Sequence, residues 1–174
     1  CLKKILCGGA GLKAAVAKEL REYGIFAYGC YGLSECSPCV AVNRDDYYKD
    51  GSAGVLLNCN AITIAEDGEI LISGTNVMLG YYNDPEATDK VIIDGVLHTG
   101  DLGYIDEDGF LFITGRKSNL IVFSDGTKCS PETLEEQIVI NTAAEEALVY
   151  QSDVENRATL CAKIYLQDLS KKES

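Results

Sequence analysis

Gly109–Glu135 reads GFLFITGRKSNLIVFSDGTKCSPETLE, and Thr99-Gly100-Asp101 lies just before it. Two apolar, strand-like runs, Phe110–Thr114 and Leu120–Phe123, flank a polar Gly115-Arg116-Lys117-Ser118-Asn119 turn. A glycine turn follows, then Pro131-Glu132 opens a helical pattern. A buried hairpin needs no arginine at its turn. A guanidinium held there points to a fixed cation aimed at an anion or at sugar hydroxyls. The aspartate of Thr-Gly-Asp could supply the complementary acceptor for a diol.

Working outward, the pattern reads as α/β. Residues 3–7 form a strand, Gly8–Gly11 a turn, and Leu12, Val16, Leu20 and Tyr23 recur at helical spacing before a stop at Gly24. Ile25–Tyr28 is a second strand, so the chain opens with a β-turn-α-β unit and a parallel pair. From about residue 54 short strands alternate with Gly and Asp turns: Val55–Leu57, Ala61–Ala65 and Glu69–Ser73, with a hairpin turn at Glu66-Asp67-Gly68. A short helix starts at Asp84-Pro85-Glu86 and ends near Lys90. Two more hairpins turn at Asp94-Gly95 and at 106–109. A last helix runs from Pro131 to about Asn141, ahead of strands near Ala147–Tyr150 and Leu160–Leu166. The expected fold is the end of a parallel α/β subdomain, then a β-rich, barrel-like segment, then the start of a small α+β domain. The boundary falls within 116–119, dividing 1–116 from 117–174.

At 174 residues the chain can bury a core. No apolar run approaches the roughly 20 residues that span a bilayer, and no basic, then apolar leader opens it. Its start inside a strand reads as a cut from a longer chain. The net charge of −12, dispersed along the sequence, argues against a nucleic-acid backbone as main partner. Eight cysteines at irregular spacing and no signal peptide read as reduced thiols of a cytoplasmic protein. Cys36-Ser37-Pro38-Cys39, with Cys30 upstream, is the exception. It is half a zinc site or a redox pair, though no second C-x-x-C exists and His98 is the one histidine.

Three motifs compete for the first forty residues. Gly9-Ala10-Gly11-Leu12-Lys13-Ala14 has the form of a dinucleotide fingerprint. The acidic residue that should end the next strand is replaced by Gly29-Cys30-Tyr31. Gly32-Leu33-Ser34-Glu35-Cys36 nearly matches a nucleophile elbow, but Cys36 stands where the final glycine is needed. Tyr31-Gly32-Leu33-Ser34-Glu35 also reads as a loop at the carboxyl end of a strand, where open α/β sheets bind ligands. There an aromatic face, a hydroxyl and a carboxylate could stack a base, donate to phosphate and hold Mg²⁺. An ordinary turn with a packed tyrosine is the equal alternative from these residues alone.

Five motifs in order resemble one family, the adenylate-forming (AMP-binding) enzymes, which include acyl-CoA synthetases, luciferases and peptide-synthetase adenylation domains. They are Lys4–Leu12 with its Gly-Gly-Ala; Tyr31-Gly32-Leu33-Ser34-Glu35; Gly68–Gly74 with Gly80-Tyr81-Tyr82 and Pro85–Thr88; Thr99-Gly100-Asp101 followed by Gly115-Arg116; and Pro131–Glu135. The resemblance implies a pocket for ATP or AMP lined by Gly9, Ala10, Gly11 and Gly32. Tyr31 would stack on adenine, Ser34 would contact the α-phosphate and Glu35 would hold Mg²⁺, these last two carrying the catalytic roles. Asp101 would take the ribose hydroxyls with Arg116 close by, and Lys117-Ser118 would be the hinge of a lid. His98 would pack.

Within the family the segments around Ser34 and Arg116 look most like bacterial long-chain fatty-acid–CoA ligases. That implies an enzyme with ATP, a fatty or other carboxylic acid and CoA as partners, making acyl-AMP and then acyl-CoA, with peripheral membrane contact left open. A peptide-synthetase adenylation domain, a non-catalytic nucleotide-binding relative and a cysteine-based metal or redox module are the alternatives. The family's phosphate loop and its lid lysine are missing from these residues, and the hinge position holds Ser118. The segment alone is therefore expected to be inactive.

Overall fold

In a computed structural model of the chain, which describes residues 2–123, 126–154 and 157–166, the expected opening unit is present. Strand β1 (Lys4–Cys7) leads through the glycine turn into helix α1 (Ala14–Glu22) and back into β2 (Phe26–Tyr31). The two strands pair in parallel, with Lys4 opposite Phe26 and Cys7 opposite Gly29. Helix α1 ends where Tyr23 closes it and Gly24 takes φ of +74°, a left-handed turn that glycine adopts without a Cβ penalty.

The chain divides into two compact units, Cys1–Ile113 and Thr114–Ser174. In the first, β3 (Ala41–Val42) and β4 (Gly54–Leu56) extend the sheet from β2 in antiparallel steps. Next come β5 (Asn60–Ile64) and β6 (Glu69–Gly74), α2 (Pro85–Val91), β7 (Ile92–Ile93), β8 (Val96–Ile105) and β9 (Phe110–Arg116), whose residues from Thr114 on are counted in the second unit. The sheet order is β1-β2-β3-β4-β9-β8-β6-β5, with β7 paired to β8. This is a mixed α/β architecture with few helices, parallel at one edge and antiparallel across the rest.

The hairpins form where Asp and Gly permit tight reversals. Gly68 N donates to Ala65 O at 2.9 Å to close β5 on β6, and Gly109 N donates to Asp106 O at 3.0 Å to close β8 on β9. Asp84 caps α2 by accepting from Ala87 N at 2.9 Å, with Pro85 in the first turn where its missing N–H costs nothing. The core gathers Ile70 and Ile72 of β6, Leu97 of β8, Leu111 of β9, Val40 and Cys36, all fully buried. Cys36 acts there as a small apolar residue, and burial raises its thiol pKa to about 11.

The second unit holds β10 (Ile121–Val122) paired with β11 (Lys128–Cys129), α3 (Pro131–Asn141), and the hairpin of β12 (Ala144–Val154) and β13 (Arg157–Leu166). The two apolar runs that flank Gly115–Asn119 do not pair with each other. The second pairs with β11, and Lys117–Asn119 forms a single 3₁₀ turn. Gly115 is required by its surroundings: a Cβ there would lie 2.5 Å from Ser130 Oγ, with φ at +150°. Burial opposes charge on Glu132, yet bonds from Asn119 and Ser130 hold its carboxyl below the usual range. No helix among the described residues is long and apolar enough to cross a membrane.

Candidate nucleotide site

Because β1 and β2 run parallel, the Gly8–Gly11 turn and the Tyr31–Ser37 loop leave the same edge of the sheet, at the carboxyl ends of the strands. Gly9, Ala10 and Gly11 are exposed, and Gly9 has φ of +80°. Gly8 has a packing reason instead: a Cβ there would sit 2.8 Å from Cys30 Sγ. Gly32 is stricter still. A Cβ would fall 1.6 Å from the carbonyl oxygen of Pro38, so the loop folds over its own backbone at this point and only glycine fits.

Tyr31 and Asp101, 70 residues apart in sequence, meet directly: the phenol donates to Asp101 Oδ2 at 2.8 Å. Both are buried, at 9% and 6% relative exposure. The ring belongs to the core cluster, so Tyr31 presents its hydroxyl to the carboxylate while its body packs against apolar neighbours. Burial raises the phenol's pKa well above its ordinary value, as does the bond to Asp101. Tyr31 is therefore a neutral donor throughout the neutral range.

Asp101 sits on a break in the sheet. Two steps along β6, from Leu71 to Glu69, face four along β8, from His98 to Leu102. Thr99, Gly100 and Asp101 there face the single residue Ile70, an excess of two that forms a bulge and re-aims the chain. Thr99 Oγ1 donates to Ile70 O at 2.7 Å and accepts from Asp101 N at 3.0 Å. Gly100 has φ of +69°.

Ser34–Cys36 form a 3₁₀ turn beyond Tyr31, with Ser34 exposed and Glu35 half-buried. The loop after β6 clasps this turn: Met78 N donates to Glu35 O at 2.8 Å, and Tyr81 Oη donates to Glu35 Oε1 at 2.7 Å. That bond raises the Tyr81 phenol pKa. A half-buried carboxylate with one oxygen fixed suits a hard cation shared with substrate phosphates. Arg116, Lys117 and Ser118 belong to the second unit, Arg116 closing β9 and the other two opening the 3₁₀ turn.

Of the cysteine group, Cys36 is buried, Cys30 and Cys39 are half-buried, and the seven described cysteines are free thiols. Burial raises the thiol pKa of both Cys30 and Cys39. Among the described residues no three His, Cys, Asp or Glu side chains are grouped to hold a metal. Sequence reasoning passed over Glu69 and the role of Tyr81. Glu69 carried one signal, a carboxylate opening the apolar run Ile70-Leu71-Ile72.

This geometry can be set beside known proteins. Residues 2–82 match the family model for the AMP-binding enzyme. Over that stretch the chain is similar to the AMP-binding enzymes. It is 42% identical over 142 residues, 82% of its own length, to the long-chain-fatty-acid–CoA ligase FadD15 of Mycobacterium bovis, covering 24% of that protein. It is 38% identical over 157 residues to the 2-succinylbenzoate–CoA ligase of Bacillus mycoides, covering 84% of the chain and 32% of the relative. Among solved structures, the O-succinylbenzoate coenzyme A synthetase of Bacillus subtilis in complex with ATP and magnesium ion is 32% identical. It superposes with a TM-score of 0.77 over 94% of this chain and 36% of that one. Against these AMP-binding enzymes the chain spans about a quarter to a third of the curated relatives' length.

Proposed function

We propose that the chain is the nucleotide-holding part of an ATP-dependent acid–thiol ligase. In that reaction a carboxylate attacks the α-phosphate of ATP to give acyl-AMP and pyrophosphate, and the thiol of CoA then displaces AMP to give the acyl thioester. The observation that carries the reading is the Tyr31–Asp101 bond, which joins the Tyr-Gly-x-Ser-Glu loop to the Thr-Gly-Asp bulge. Asp101 has a carboxylate fixed by a neutral donor and so able to accept from a ribose diol. Tyr31 positions Asp101 first, and any contact with the base comes through what remains exposed of its ring. Ser34 offers a hydroxyl to an α-phosphate oxygen. Glu35 offers a carboxylate to Mg²⁺, which when bound would offset the phosphate charge. Gly9, Ala10 and Gly11 line the approach.

Residues 1–116 form the end of the large domain in this reading and 117–174 the start of a lid that turns at Lys117-Ser118. Arg116 is a nucleotide contact of the intact parent. A long-chain fatty acid is the favoured acid, on the 42% identity to the mycobacterial fatty-acid ligase. The test is ATP–pyrophosphate exchange by the intact parent with palmitate, with 2-succinylbenzoate and with no acid. Exchange should depend on an acid and be strongest with palmitate. A folded parent that binds ATP but exchanges with neither acid would favour a non-catalytic nucleotide binder.

A further inference from the structure

Glu69 is a charged side chain with only 6% of its surface exposed, at the start of a strand that continues with Ile70, Leu71 and Ile72. A carboxylate is costly in such a place unless it is bonded. Its bonds go to the bulge: Oε1 accepts from Gly100 N at 3.0 Å, and Oε2 lies 3.4 Å from His98 Nδ1. A bulge takes backbone groups out of the ladder, and a buried N–H without an acceptor is expensive. Glu69 supplies that acceptor from the neighbouring strand, at the residue whose φ is +69° and which immediately precedes Asp101. On the far side the chain has no room to shift. A Cβ on Gly103 would lie 2.3 Å from Phe112 O and 2.9 Å from Ile70 Cδ1, and Gly103 N is bonded to Gly68 O at 3.0 Å. The bulge is thus pinned on both sides of Asp101, by the Glu69 carboxylate before it and by close backbone packing after it.

We propose that Glu69 is a positioning residue for nucleotide binding: by holding the Gly100 amide it sets the direction in which Asp101 meets the ribose. This rests on the reading of Asp101 as the ribose acceptor. Glu69, 6% exposed and bonded to Gly100 N, acts through the bulge, so its effect is expected at the sugar hydroxyls and not at the phosphates or the base.

The test compares binding of ATP and of 2′,3′-dideoxyATP to the intact parent and to its Asp101→Ala, Glu69→Ala and Glu69→Gln variants. Asp101→Ala should lose the preference for ATP over the dideoxy nucleotide. Glu69→Ala should weaken ATP about tenfold and leave the dideoxy nucleotide nearly unchanged. Glu69→Gln, whose amide oxygen still accepts from Gly100 N, should recover most of that loss. Should Glu69→Ala fold too poorly to assay, Glu69→Leu fills the space without an acceptor and carries the same expectation. If removing the Glu69 acceptor weakens both nucleotides equally, or neither, while Asp101→Ala still abolishes the preference, the proposal is wrong and the ribose reading stands. If Asp101→Ala keeps the preference, the ribose reading fails and the proposal falls with it.

Discussion

Replacing Tyr31 with phenylalanine removes one oxygen and keeps the ring that packs in the core. What is lost is the donor at 2.8 Å from Asp101 Oδ2, a carboxylate with 6% exposure. Hydrogen bonds to charged groups contribute about 1.5–3 kcal/mol, and the buried partner favours the upper half of that range. We expect Tyr31→Phe to destabilise the chain by about 2 kcal/mol. With a slope of about 1–3 kcal/mol per molar, its urea midpoint should fall by about 1 M. The pH dependence gives a second handle. The phenol's pKa is raised in the folded state. Its contribution is therefore fully present below the unfolded value of about 10 and is lost as pH rises above that value, at up to about 1.4 kcal/mol per pH unit. Tyr31→Phe has no such phenol, so the gap between wild type and variant should narrow above pH 10. Equal urea midpoints at neutral pH, or a gap that does not change on going to alkaline pH, would refute the reasoning.

Three further outcomes are expected. Gly100→Ala should cost about 1–2 kcal/mol although no atom lies within 4 Å of the added methyl, because the penalty comes from φ of +69°; thermal unfolding reads it, and a neutral change would show that the bulge relaxes freely. Tyr81→Phe frees Glu35 Oε1 from its phenol and should raise the Mg²⁺ concentration for half-maximal adenylation in the intact parent; an unchanged Mg²⁺ curve would separate Tyr81 from the cation. Ser118→Pro fixes φ within the Lys117–Asn119 turn, and should spare one half-reaction of the parent and impair the other; equal effects on acyl-AMP and thioester formation would count against a hinge there.

The hairpins at 66–68, 94–95 and 106–109 and the cap at Asp84 were legible because Asp, Gly and Pro act within a few residues of themselves. The parallel opening was legible for the same reason, through a strand, a glycine turn and a helical period in one short stretch. Sheet order was not: β4 pairs with β9, with Gly54 opposite Leu111, and nothing local at either strand announces the other. The run Leu120–Phe123 looked like the return of a hairpin from Phe110–Thr114, but Gly115 packs against Ser130 and Glu132 and the run pairs with Lys128–Cys129. At the site, Tyr31, Asp101 and Glu35 could be picked out by residue type. The phenol–carboxylate bond, the bulge and the Glu69 acceptor could not, because each joins residues about thirty or more positions apart.

The most direct measurement is the affinity of the intact parent for ATP before and after Asp101→Ala, with folding checked by circular dichroism. Leaving the ribose diol without its acceptor should weaken ATP by about 1–3 kcal/mol, roughly five- to 150-fold. An unchanged ATP affinity in a folded Asp101→Ala variant would contradict the account.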